Sequence, residues 1–186
     1  MAGRVLTPDL FRDVPVLTGS GVRLEPLGPA VLEDYLVGLA DPEVRRLTAS
    51  RHRFERDAVA RWLATRSDHA DRADWAVHRR VDGRFLGEAV LTGFDAADAS
   101  ACYRVWLGPG RTDAGHGTET TRLVLDHAFG AGLHRVWLVL RADNPRARRT
   151  YEKCGFRVEG RGRDALRWDG RWVDERRMAV LATAHR

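Results

Sequence analysis

The spacing of apolar positions changes several times along the chain, and each change marks an element. Val22, Leu24 and Leu27 suggest a first strand. Residues 30–40 and 56–67 follow with helical spacing; in the second stretch Val59, Trp62, Leu63 and Arg66 give a partial amphipathic face. Residues 47–54, between them, have no clear period. Three strands come next, at 74–78, at 84–93 after the turn Val81-Asp82-Gly83, and at 101–107 after the small-residue loop 95–100, which together read as an antiparallel meander. A helix then presents Thr121, Val124, Leu125 and Ala128 inward. Residues 136–140 are apolar on both faces, as a central strand covered by helices on both sides would be. That strand, 134–140, should lie parallel to the one at Val105. A final hairpin joins 157–168 with 171–181 through Asp169-Gly170, a dipeptide suited to the tight turn.

One helix is written with both its ends. Asn144 can cap free backbone N–H groups, Pro145 suits the first helical position, and Gly155 can take the left-handed conformation that stops a helix. Ala147, Thr150, Tyr151 and Cys154 fall on one packing face, ringed by Arg146, Arg148, Arg149 and Lys153. Tyr151 therefore stands where core meets something anionic.

Composition narrows the picture. At 186 residues and 44% hydrophobic content the chain holds one substantial core and has no room for two ordinary domains. Residues 1–20 read as an arm wandering over the surface and 21–186 as a single domain. No stretch approaches the roughly 18 apolar residues of a membrane helix, and the N-terminus lacks the apolar core of a secretory signal, so no membrane association and a cytoplasmic location are expected. Cys102 and Cys154 read as small buried hydrophobes, and the 7 histidines adopt no metal-ligand spacing, so no metal is expected. The net charge of +5 comes from arginines scattered along the chain and balanced by Asp and Glu. A nucleic-acid binder gathers them in a stripe or tail, so no nucleic-acid partner is expected.

A second segment turns the capped helix into a site. Residues 113–119 follow a strand and open a helix, and Gly115 and Gly117 lack Cβ atoms, so successive N–H groups can converge on a phosphate at the positive end of the helix dipole. Gly115-His116-Gly117 with Thr118-Glu119 behind it, then Phe129 to Val136, then Asn144 and Tyr151 to Phe156, resemble in order and spacing the GNAT acyltransferase superfamily, and within it the RimJ/RimL-like N-acetyltransferases. The likeness is best over residues 105–160 and looser from Val22 onward.

The resemblance implies an α/β (α+β) fold, a mixed, mostly antiparallel sheet with a central parallel splayed strand pair and flanking helices. It implies transfer of an acetyl group from acetyl-coenzyme A to a primary amine, on a protein N-terminus or a small molecule. Backbone groups of Val105, Trp106 and Leu107 would hold the pantetheine arm in the splay. Ala114, Gly115, His116, Gly117 and Thr118 would hold the pyrophosphate, with Asn144 and Arg148 against the cofactor from the other side. The family's Arg or Gln three positions before the first cradle glycine is replaced by Thr112, with Arg111 one residue earlier. Tyr151 matches the tyrosine that gives a proton to the leaving thiolate; its other reading is a core tyrosine. Residues 101–107 carry no carboxylate for a general base, which leaves Glu88 on the preceding strand, a water chain, or an ordinary outward-facing glutamate. Glu119 reads as a favourable first-turn charge, and Trp106, Trp137, Trp168 and Trp172 as core or pocket wall. A non-catalytic acyl-coenzyme A sensor would share this cradle, and a homodimer is left open. Residues 47–54 and 95–100 are expected to choose the acceptor.

Overall fold

The computed structural model describes residues 11, 13–108 and 115–185. The expectations placed on Arg111, Thr112 and Ala114 lie outside the described residues. Among these residues β1 (Leu17–Thr18), β2 (Val22–Pro26), β3 (Ala73–Arg79), β4 (Phe85–Asp95), β5 (Ser100–Leu107), β6 (Arg135–Arg141), β7 (Arg157–Trp168) and β8 (Arg171–Leu181) form one sheet, in the order β1-β2-β3-β4-β5-β6-β8-β7. Every neighbouring pair is antiparallel except β5 and β6, which run parallel. The helices are α1 (Leu32–Ala40), α2 (Pro42–Leu47), α3 (Arg56–Ala64), α4 (His116–Gly130) and α5 (Pro145–Lys153).

Alternation along the strands sorts side chains into two cores. Leu24, Trp75, Leu91 and Tyr103 point to the face where α4 lays down Val124, Leu125 and Ala128 and α5 adds Tyr151 and Cys154. Ala76 and Phe85 point the other way and meet Tyr35 of α1 and Val59 and Leu63 of α3, with Trp62 and Trp106 packed alongside. At roughly 1.5–3 kcal/mol per buried large apolar side chain, both layers contribute substantially to holding the sheet between its helices. Asp169 and Gly170 have φ of 46° and 79°, the paired positive values of the tight turn expected there.

Several expectations are corrected. The described part of the N-terminal arm does not wander: Phe11 is buried with its ring 5.1 Å from that of Phe94, Pro15 accepts a hydrogen bond of 2.8 Å from the Trp75 indole, and β1 pairs with β2. The helical stretch 56–67 ends its α-helix at Ala64 and tightens into a 3-10 turn at Arg66–Asp68. A short helix, α2, stands where none was expected; Asp41 caps it by accepting from the Val44 N–H at 2.8 Å, and Pro42 occupies its first position. The second face of β6 carries an arginine in place of a helix, since Trp137 lies under the Arg177 guanidinium at 4.4 Å and Val139 is 46% exposed. Trp172 is neither core nor pocket wall but 60% exposed.

Candidate active site

The site begins where the parallel ladder stops. β5 and β6 pair only at Ser100 with Arg135, Ala101 with Val136 and Cys102 with Trp137. Beyond that point Val105, Trp106 and Leu107 keep their partners Ala89, Glu88 and Gly87 on β4, while β6 continues against β8. The facing edges part, and backbone groups that a ladder would satisfy are left to other partners. A cavity of about 470 Å³ opens there, lined by Val105, Trp106 and Leu107 on one side and Asn144, Thr150 and Tyr151 on the other.

Both helix starts face this gap. Gly115 precedes α4 with φ of 79°, a left-handed conformation that favours glycine. A Cβ on Gly117 would lie 3.6 Å from Leu107 Cδ1 and 3.8 Å from Thr150 Cγ2, filling the space between β5 and α5. Local hydrogen bonds hold the helices in place. Thr121 Oγ1 donates to the Gly117 carbonyl at 2.7 Å and lies 3.1 Å from the Tyr103 hydroxyl. The Cys154 thiol donates to the Thr118 carbonyl at 3.6 Å, and Asn144 Oδ1 accepts from the Ala147 N–H at 3.0 Å. Glu119 does more than complement a dipole. It accepts from the Ser20 hydroxyl at 2.8 Å, from the Gly21 N–H at 3.0 Å and from the Ser20 N–H, tethering the β1–β2 turn to the first turn of α4. Burial raises its pKa, but these hydrogen bonds outweigh burial and leave it below the ordinary value.

Of the residues expected to hold a cofactor, Val105, Trp106, Leu107, Gly117 and Asn144 line the cavity, together with Tyr151. Gly115, His116 and Thr118 stand at the beginning of α4 without lining it. Arg148 is turned aside: its Nε donates to Glu152 at 2.7 Å on the outer face of α5, and Arg146 lines the cavity instead. An extended chain bearing hydrogen-bonding amides fits an edge whose ladder has stopped, and an anionic end fits a glycine-opened helix start, so these residues suit a coenzyme A thioester.

Tyr151 is buried against Tyr103, with centroids 6.4 Å apart and an interplanar angle of 84°, and against Phe156. Its hydroxyl has no hydrogen-bond partner among the described residues, and burial pushes its pKa above the ordinary tyrosine value. Glu88 is the residue that alternation misplaces. Between β3 and β4 the register slips, Val77 facing Gly87 while His78 faces Phe85, so Leu86 is an inserted residue. That bulge turns Glu88 to the same face as Phe85, and Gly87 is required beside it, because a Cβ there would come 2.0 Å from the Trp106 carbonyl oxygen.

The outward-facing reading of Glu88 therefore fails: it is 7% exposed, and its Oε2 accepts from the Tyr35 hydroxyl at 2.9 Å and the Trp106 indole at 2.8 Å. Its Oε1 is buried with no partner among the described residues. Burial pushes the Glu88 pKa up; the Trp106 and Tyr35 hydrogen bonds oppose the rise, and the Asp74 charge adds to it.

Glu88 stands in the wall of a second cavity, about 480 Å³, with Tyr35, Trp62 and Arg72. Arg104, Val105 and Trp106 of β5, and Val44 and Thr48 at α2, line both cavities, so the two adjoin along that strand and helix. Thr48, Ser50 and Phe54, from the stretch without a period, line the second cavity, whereas residues 95–100 line neither. Sequence reasoning missed Tyr35, Arg104 and Gly38. The last is legible only in three dimensions: a Cβ there would meet the Trp106 ring at 2.4 Å, so its absence lets the indole reach Glu88. Among the described residues no group of three or more His, Cys, Asp or Glu could hold a metal ion, and no helix is long and apolar enough to cross a membrane.

A parallel pair that parts over a glycine-opened helix start, with a capped helix across the gap, defines an acyl-coenzyme A-dependent acyltransferase architecture. The family model described as an acetyltransferase (GNAT) domain matches residues 22–157, and the chain belongs to that family. Spermidine N(1)-acetyltransferase of Vibrio cholerae is 30% identical over 119 residues, covering 59% of this chain and 69% of that protein. The crystal structure of spermidine N-acetyltransferase from Vibrio cholerae, in complex with CoA and spermine, superposes with a TM-score of 0.82 at 21% identity, over 89% of this chain and 98% of the other. Mycobacterium smegmatis RimJ in complex with CoA-disulfide superposes with a TM-score of 0.79 at 25% identity, over 94% and 90%. The chain is thus an N-acetyltransferase of the GNAT family with coenzyme A as the carrier of its acyl group.

Proposed function

We propose that the chain moves an acetyl group from acetyl-coenzyme A directly to the primary amine of a peptide N-terminus or small molecule, with Glu88 as general base and Tyr151 at the leaving sulfur. The observation that carries this reading is the buried Glu88 carboxyl, one oxygen of it without a partner among the described residues, on a residue lining the cavity that adjoins the splay Tyr151 lines. The thioester supplies an already activated carbonyl. Bond making and breaking then balance simply: a C–N bond forms, the C–S bond breaks, and the proton released by nitrogen goes to Glu88.

The residues divide the remaining work. Val105, Trp106 and Leu107 offer backbone donors to the carbonyl oxygen and hold the carbonyl beside the opening into the Glu88 cavity. At neutral pH, freeing a proton from an α-amine with pKa near 7.7–8.0 costs about 1 kcal/mol, against about 4–5 kcal/mol for a lysine-like amine near 10.4. A carboxylate with a raised pKa is matched better to the first of these, and a free amino acid, whose own carboxylate holds its α-amine above that peptide value, lies between the two. Tyr151, with its pKa raised by burial, keeps its proton and stabilises the departing sulfur by a donated hydrogen bond.

The test is thiol release at saturating acetyl-coenzyme A. Glu88→Gln is expected to lower kcat/KM for the amine by about 10²–10⁴-fold while leaving the KM for acetyl-coenzyme A in place. The parent's rate should rise with pH through the upshifted Glu88 titration, and the variant should lose that limb. A variant retaining half the parental rate would remove Glu88 from the role of base. Saturable acetyl-coenzyme A binding without turnover of any amine would instead make the chain a binding domain.

A further inference from the structure

We infer that the acceptor is a free α-amino acid with an apolar side chain, its carboxylate held by Arg104; this inference rests on the amine-acetylating function just proposed. Arg104 projects from β5 into the wall shared by both cavities, yet it makes no ion pair or hydrogen bond among the described residues. The second guanidinium of the Glu88 cavity, Arg72, is already committed to Asp74 through two hydrogen bonds, of 2.7 and 2.5 Å. Arg104, exposed and without a fixed hydrogen-bond partner among the described residues, is therefore the guanidinium there open to a ligand, and its charge favours the ionised form of Glu88.

Register fixes the distance between this cation and the base. Glu88 faces Trp106 and Val90 faces Arg104 across the β4–β5 ladder, so Glu88 and Arg104 are diagonal neighbours on one face. Such neighbours stand about 7–8 Å apart. Two side chains reaching toward each other from that spacing can grip two groups borne by a single carbon, as the ammonium and carboxylate of an α-amino acid are. The Glu88 carboxyl, whose Oε1 is buried without a partner among the described residues, takes the ammonium side and the Arg104 fork takes the carboxylate, a geometry guanidinium matches with paired hydrogen bonds.

The rest of the wall describes the side chain. Leu39, Val44, Phe54, Val59, Trp62 and Val90 surround the cavity with apolar and aromatic surface. A polyamine would need several carboxylates and would meet instead the single buried Glu88 and two guanidiniums. A peptide N-terminus would set a neutral amide before Arg104 and forgo an ion pair with that guanidinium.

L-Phenylalanine, L-phenylalaninamide and spermidine discriminate these acceptors in thiol release with the full chain and acetyl-coenzyme A. The acid is expected to exceed the amide in kcat/KM by about 10–100-fold, the range for losing a charge-assisted hydrogen bond. Arg104→Gln should collapse that ratio toward unity through KM for the acid. The same comparison is read independently by calorimetric binding of acid and amide to the coenzyme A-saturated protein, which needs no turnover. If no amine is acetylated but the acid still binds at least tenfold tighter, and only with Arg104 present, the acceptor site stands and the catalytic proposal falls. Equal use or binding of acid and amide, preference for spermidine, or a ratio untouched by Arg104→Gln overturns the inference.

Discussion

A carboxyl group wedged between a phenol and an indole is costly to ionise, and Glu88 accepts both donors on one oxygen while the other is left bare. The folded chain therefore holds the Glu88 proton more tightly than the unfolded chain does. Between the ordinary glutamate pKa and the raised one the folded state binds more protons, so this residue's contribution to stability falls as pH rises through that window and then levels off. Glu88→Gln removes the titration and keeps an acceptor for Tyr35 and Trp106. Thermal unfolding should accordingly find the variant at least as stable as the parent at neutral pH although it is the poorer catalyst, with the difference vanishing below the ordinary glutamate pKa. A melting temperature several degrees lower at pH 7 would mean that the charge itself supports the fold. Tyr151 and Asn144 were legible from sequence because a capped helix is local information, carried within a dozen residues. Glu88 was legible only as a candidate: its direction depends on Leu86 being squeezed out of register against β3, which no pattern within β4 records.

The elements themselves were largely readable, and the misreadings have common causes. α2 escaped because its 6 residues span less than two turns; only the Asp41-Pro42 pair announced it. The apolar run of β6 looked covered on both faces because Arg177, which lies over Trp137, comes from a strand some forty residues onward. The pattern around Glu119 assigns it to its own helix, whereas its partners Ser20 and Gly21 lie about a hundred positions earlier. Glu119→Ala is expected to free the β1–β2 turn from α4 and to cost about 1–3 kcal/mol. The melting temperature should fall by several degrees, with faster amide exchange at Gly21 and in the first turn of α4. An unchanged melting temperature together with unchanged exchange would return Glu119 to the simpler role of a first-turn charge.

At the scale of the molecule, the order of strands and helices was enough to place the chain in its family. The parting of β5 and β6 was not; it entered only through the resemblance, since nothing in residues 103–107 or 138–141 says that pairing stops. Acetyl-coenzyme A at a hundred times its dissociation constant should stabilise the protein by about 2.7 kcal/mol, a rise in melting temperature of roughly 5–10 °C for a chain of this size. Slower amide exchange should concentrate in residues 103–107 if the arm lies along β5. A shift without that protection would put the ligand elsewhere.

The interrupted ladder has a bearing on self-association as well. Bare strand rims invite strands from other molecules and so promote aggregation. Here one such rim lies in the middle of the sheet, recessed between β5 and the start of α5 rather than at an outer margin. The molecule thus keeps an adhesive strip for its own chemistry while withholding it from its copies.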